Sequence, residues 1–146
     1  MTRVIGANGV GRISVEFEVA NNDDVTRARD GILELDKVRR LKVRGIADSG
    51  AAKLVLPKAV VQQLGLKLSS KVKVRYADGR KVVRSTAEGA YVEILGRHGT
   101  FTAVVEPQRD DALIGAIVLE DLDLLVDCQN QRLIPRDPQY PFFEID

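Results

Sequence analysis

Asp48-Ser49-Gly50-Ala51 is the stretch of this chain where residue type and position could do chemistry. An apolar strand pattern leads into it, a second apolar stretch, Leu54-Val55-Leu56, follows, and a short helix pattern comes next. The carboxylate therefore falls on a turn between two buried segments, where an acid is expensive to desolvate unless it is hydrogen-bonded or has a role. Taken alone, Asp-Ser-Gly is equally an Asx-type turn, with Asp48 bonding the next amides and Gly50 supplying a positive φ. Other chemistries lack their residues. His98 and Cys128 are the only histidine and cysteine, so no zinc cluster can be assembled and no metal is expected. Ser49 as a nucleophile has no G-x-S-x-G setting, and His98 would be its only base. Gly6-Ala7-Asn8-Gly9-Val10-Gly11 superficially matches a dinucleotide loop, but no helix pattern follows it, so no cofactor is expected.

The elements that must position Asp48 are mostly strands. Residues 12–20 alternate, with Ile13, Val15, Phe17 and Val19 on one face and Ser14, Glu16 and Glu18 on the other. Asn21-Asn22-Asp23-Asp24 reads as a turn, and residues 25–37 as two short strands around a turn at Asp30-Gly31. Residues 38–47 form the strand leading to Asp48, with a bulge expected at Gly45. Residues 57–64 read as a helix, with Pro57 at its first position and Gly65 just past its end. Residues 71–76 and 81–87 flank a hairpin turn at Ala77-Asp78-Gly79-Arg80, because Asp-Gly tolerates positive φ. Residues 90–95 and 100–106 make a further hairpin around Arg97-His98-Gly99, which leaves His98 exposed. A second helix is expected over 116–122, and short strands over 124–127 and 131–134. Many short strands, glycine-centred turns and one or two brief helices imply a mainly β fold, a closed or partly closed barrel.

A chain of 146 residues suits one domain with a useful core. With 22 Lys and Arg against 21 Asp and Glu, no broad field favours nucleic acid. No stretch has signal-peptide or membrane-spanning length, and a single cysteine fits a reducing compartment, so the expected location is cytoplasmic, with no membrane partner.

The segment 44–66 resembles the active-site region of retropepsin-like aspartic proteases, whose signature is a hydrophobic strand followed by Asp-Thr/Ser-Gly-Ala. Ala112-Leu113-Ile114-Gly115, followed by a short helix, is similar to that family's second hallmark. The separation, 113 − 48 = 65 residues, leaves room for the flap hairpin the family places between them, and Asp78-Gly79 sits where the flap tip should be. The resemblance covers 38–134 as the protease core, with 1–37 as N-terminal strands of the same domain and 135–146 as a tail. Ser49 replaces the commoner threonine, a mild departure.

The resemblance implies an aspartic endopeptidase. Its catalytic residues would be Asp48, Ser49 and Gly50, with Ala51, Ala77, Asp78, Gly79, Leu113, Ile114 and Gly115 around the substrate. Two adjacent carboxylates sharing one proton supply both the base that activates water and the acid that protonates the amide. The chain has one Asp-Ser-Gly, so the second carboxylate must come from another copy, which a two-fold axis provides. A peptide or protein would be the substrate. The competing function is a non-catalytic dimeric barrel that grips peptide or protein without cleaving it. Lys71, Lys73 and Arg75 form either the solvated face of a strand or a bias of the cleft toward acidic side chains. The aromatic-rich tail, Pro138 to Asp146, either packs on the barrel, is a disordered end, docks at a dimer interface or enters the chain's own cleft.

Overall fold

The computed structural model describes residues 3–4 and 12–146; the glycine-rich stretch 6–11 lies outside the described residues. Period-two burial shapes the first long strand, β2 (Arg12–Asn21), where Ile13, Val15, Phe17 and Val19 turn inward and Glu16 outward. A two-residue strand, β1 (Arg3–Val4), pairs with its start. The chain continues through α1 (Asn22–Arg29), β3 (Arg40–Asp48), β4 (Leu54–Pro57), α2 (Lys58–Leu64), β5 (Lys67–Arg75) and β6 (Lys81–Ile94). It ends with β7 (Arg97–Glu106), β8 (Ala112–Ile114), α3 (Ala116–Asp121) and the hairpin β9 (Leu124–Asp127) and β10 (Arg132–Pro135).

The sheet runs β1-β2-β3-β8-β4-β7-β6-β5, and pairing of β2 with β6 from Glu18↔Glu93 to Asn21↔Ala90 closes six of these strands into a barrel. Ile13, Leu54, Leu56 and Ile114 are fully buried inside it, each stabilising the fold by roughly 1.5–3 kcal/mol. The short β8 matters most for position. It lies parallel to β3 (Ile46↔Leu113) and antiparallel to β4 (Val55↔Leu113), so it fills the gap between the two strands that flank Asp48.

Five local expectations are corrected. Residues 22–29 are helical rather than a turn and strand: Asn21 accepts the Asp24 N–H at 3.1 Å as the cap, and Asp23, Asp24, Arg27 and Arg29 complement the helix dipole. The segment expected as a second short strand instead forms a 3-10 turn at Leu35–Lys37. Asn21 also donates to the Leu64 carbonyl at 2.8 Å, tying α1 to the end of α2. Gly45 forms no bulge, since β2 and β3 stay in register from Arg12↔Asp48 to Ala20↔Arg40. A Cβ there would come within 2.7 Å of the Phe17 ring, so Gly45 serves close packing. The β6–β7 turn is Leu95-Gly96, both at positive φ, and His98 lies in a strand, exposed and stacked on Tyr91 at 5.3 Å. Pro57 closes β4 and caps α2 instead of opening the helix, while Gly65 ends it in the left-handed conformation as expected.

The tail has no regular structure, but its backbone is anchored. Asp123 takes the Arg136 guanidinium at 2.6 Å and the Phe142 N–H at 2.9 Å. Buried Arg97 donates to the carbonyls of Leu122 and Asp123, and to that of Asp137. The side chains of Tyr140, Phe142 and Phe143 remain exposed. No helix is long and apolar enough to cross a membrane among the described residues.

Candidate active site

Asp48 is the last residue of β3, and the chain turns immediately after it in a tight Asx turn. Its Oδ1 accepts the Gly50 N–H at 2.9 Å, and its carbonyl accepts the Ala51 N–H at 3.1 Å. Gly50 does not use positive φ; a Cβ there would sit 3.2 Å from Asp48 Oδ1, so glycine keeps the space beside the carboxylate open. The carboxylate is partly exposed, and Oδ2 lies 3.3 Å from Nε of Arg12, its cross-strand partner. That Nε has no hydrogen-bond partner among the described residues, so the contact is an ion pair without hydrogen-bond geometry. Partly exposed pairs of this kind stabilise a fold by at most about 1 kcal/mol, and the value of this one lies in orienting the carboxylate. Ser49 is exposed at the turn.

The loop is braced from behind. The first N–H groups of α3, those of Ala116 and Ile117, donate to the Ala51 and Ala52 carbonyls at 2.7 and 3.0 Å. This satisfies donors that a helix start leaves without intrahelical partners. Gly115 makes the approach possible: a Cβ there would fall 2.4 Å from the Lys53 carbonyl oxygen and 2.7 Å from the Ala52 carbonyl carbon.

In front of the loop is a cleft of about 360 Å³. The turn contributes Gly50 through Lys53, the end of β5 contributes Val74 and Arg75 with Tyr76 just beyond it, and Leu113 and Val104 are among its apolar lining. Glu106 lies at its edge but is engaged: the Tyr76 hydroxyl donates to it at 2.5 Å and Arg84 at 2.8 Å. Burial and this bond to Glu106 push the Tyr76 phenol above its usual pKa. Above the cleft wall, the β5–β6 hairpin turns at Ala77–Arg80. Tyr76 N–H meets the Arg80 carbonyl at 2.9 Å, Gly79 has a φ of 89°, and Asp78 accepts the Arg80 N–H. The Arg80 backbone and side chain hold the Asp78 carboxyl below its usual pKa.

Gly50, Ala51 and Leu113 thus share one cleft next to Asp48, whereas Ile114 is wholly buried in the core and Gly115 is a packing point. Ala77, Asp78 and Gly79 are exposed at the hairpin tip, directly after the cleft-lining Tyr76. Sequence reasoning missed Arg12, Lys53, Tyr76, Glu106 and Arg109. Lys53 belongs to the Asp48 loop itself, whereas Arg12, Tyr76, Glu106 and Arg109 come from elements distant in the chain, and only the strand register of Arg12 against Asp48 offered a signal. Among the described residues no group of three or more His, Cys, Asp or Glu could hold a metal.

The aspartyl protease family profile matches residues 35–118, 84 of the 146 residues, and spans β3, the Asp48 loop, the hairpin and the start of α3. No curated protein sequence matches this chain. Solved structures similar in fold include the EIAV protease complexed with an inhibitor: 17% identity, TM-score 0.54, covering 81% of this chain and 94% of the other. A retropepsin-like aspartic protease from Rickettsia conorii is similar at 19% identity and TM-score 0.52, covering 87% of this chain and 83% of that one. The retroviral protease-like domain of Ddi1 from Leishmania major is similar at 18% identity and TM-score 0.50, covering 89% and 94%. With the family profile covering more than half its length and an Asp-Ser-Gly turn opening onto a cleft, this chain belongs to the aspartyl protease family and is an aspartic endopeptidase of retropepsin-like fold.

Proposed function

We propose that the working enzyme is a homodimer in which the Asp48 carboxylates of two subunits meet across a two-fold axis and share one proton around a water. The observation that carries this reading is a single Asp48 on a turn braced by α3 and open to a cleft, in a chain with one Asp-Ser-Gly. Two carboxylates brought that close by the axis cannot both ionise comfortably. One carboxylate then takes a proton from the water as it attacks the peptide carbonyl, and the other protonates the leaving amide. Ser49, exposed beside Asp48, bonds across to the partner loop and fixes the two carboxylates. Gly50 leaves room for the water.

The substrate is a peptide in extended form, held by backbone pairing with the hairpin while a side chain enters the cleft lined by Ala51 and Leu113. The tip at Ala77-Asp78-Gly79 closes over it and excludes water. Ile114 and Gly115 act from behind the loop. A single cysteine and balanced charge fit work in a reducing, cytoplasmic setting. The test is Asp48→Asn, which keeps the shape and removes the shared proton: the variant should fold and sediment as the parent does and cleave no peptide of a broad library. Wild-type cleavage by the variant, or an active species that sediments as a monomer, refutes the reading.

A further inference from the structure

We propose that the cleft beside Asp48 selects peptides carrying an acidic side chain next to the scissile bond; this deepens the reading of that cleft as the substrate site. Three cations line it, Lys53 from the Asp48 loop, Arg75 from the end of β5 and Arg109 from the turn before β8. Among the described residues neither Lys53 nor Arg75 has an ion-pair partner. Arg109 spends its Nε on the Asp111 carbonyl at 2.7 Å, while the Asp111 carboxylate faces Arg44 at 4.0 Å. The one carboxylate lining the cleft, Glu106, already takes the Tyr76 hydroxyl and the Arg84 guanidinium, so it does not cancel the cations.

The shape agrees with the charge. Val55, Val74, Val104 and Leu113 line the same cleft as the cations, so it offers apolar surface for the methylenes of a glutamate together with positive charge for its carboxylate. Charge-assisted hydrogen bonds are stronger than neutral ones, and a partly enclosed cleft screens them less than open solvent does. A glutamine of the same shape would keep the packing and lose the charge. A lysine would meet three like charges.

The experiment uses quenched fluorescent peptides identical except for Glu, Gln or Lys at each position flanking the bond. The Glu peptide should show kcat/KM roughly tenfold above the Gln peptide at one or more positions, with the Lys peptide poorest, and the gap should narrow in high salt. Lys53→Glu/Arg75→Glu, at two exposed positions, should fold normally by circular dichroism and reverse the order of Glu and Lys. Equal cleavage of Glu and Gln peptides, or a preference that survives the double reversal, overturns the inference while leaving proteolysis intact. If wild type cleaves nothing, the proteolysis reading fails instead. The same peptides are then titrated onto Asp48→Asn protein by fluorescence anisotropy, where Glu should still bind roughly tenfold tighter than Gln. Equal binding, or no binding, overturns the inference.

Discussion

Adding one methyl group at position 115 separates the bracing of the Asp48 loop from its chemistry. In Gly115→Ala the new Cβ would lie 2.4 Å from the Lys53 carbonyl oxygen and 2.7 Å from the Ala52 carbonyl carbon and the Lys53 nitrogen. All three are backbone atoms, so no side-chain rotation relieves the clash, and α3 and the loop must part by about 1 Å to restore ordinary contact. That separation weakens the bonds from Ala116 and Ile117 to the Ala51 and Ala52 carbonyls. Two weakened hydrogen bonds at about 1 kcal/mol each, plus an overpacking cost of about 1–2 kcal/mol, give roughly 3–4 kcal/mol of lost stability. For a domain of this size that lowers the melting temperature by roughly 10 °C. The catalytic effect should be larger than the stability effect at assay temperature, because a misplacement of about 1 Å can cost roughly a hundredfold in rate. Urea unfolding gives the first number, and kcat measured well below the melting temperature gives the second. A variant that melts and turns over like wild type would refute the claim that the α3 contact holds the loop.

Two further perturbations probe the same geometry. Tyr76→Phe removes the hydroxyl that ties the base of the hairpin to Glu106, so the hairpin should open more readily and KM should rise a few-fold with kcat less affected; unchanged kinetics would show the tie is idle. Asp123 has a carboxyl pKa lowered first by Arg136 and then by the Phe142 N–H. A depressed folded pKa means that the tail anchor is fully present above the ordinary value of 3.8 and is lost as pH falls through the lowered one. Protection of the Phe142 amide from hydrogen exchange, taken relative to the free-peptide rate at each pH, should therefore persist at neutral pH and be lost only in strong acid, and Asp123→Asn should lose it at neutral pH; equal protection in both proteins contradicts the anchor.

The parts of this site legible in the sequence are local in chain. Asp48-Ser49-Gly50 and Asp78-Gly79 announce turns through side-chain acceptors and a positive-φ glycine, and both turns form. The helix at Asn22–Arg29 was hidden because an N-cap and an Asx turn use the same chemistry. With only Val25 among its apolar residues buried, it carries no hydrophobic stripe to decide between them. Leu95 takes positive φ with Gly96 at the β6–β7 turn, which no leucine advertises, while Gly99 nearby drew the expectation two residues too far. The non-local features left almost no trace. Lys53, Arg75 and Arg109 converge only because β8 slots between β3 and β4 and β5 folds against β6. Ile114 looks like a cleft residue in its motif, yet strand alternation turns Leu113 to the cleft and Ile114 to the core.

The central claim, one Asp48 from each of two subunits, is tested most directly by subunit mixing. Wild-type and Asp48→Asn chains are combined at fixed total concentration, allowed to exchange, and assayed on one peptide. If both carboxylates are needed, only wild-type pairs work, and activity follows the square of the wild-type fraction, so an equal mixture retains about one quarter of the all-wild-type rate. Activity that instead falls in simple proportion, to about one half, would mean that one chain's Asp48 suffices and would contradict the account.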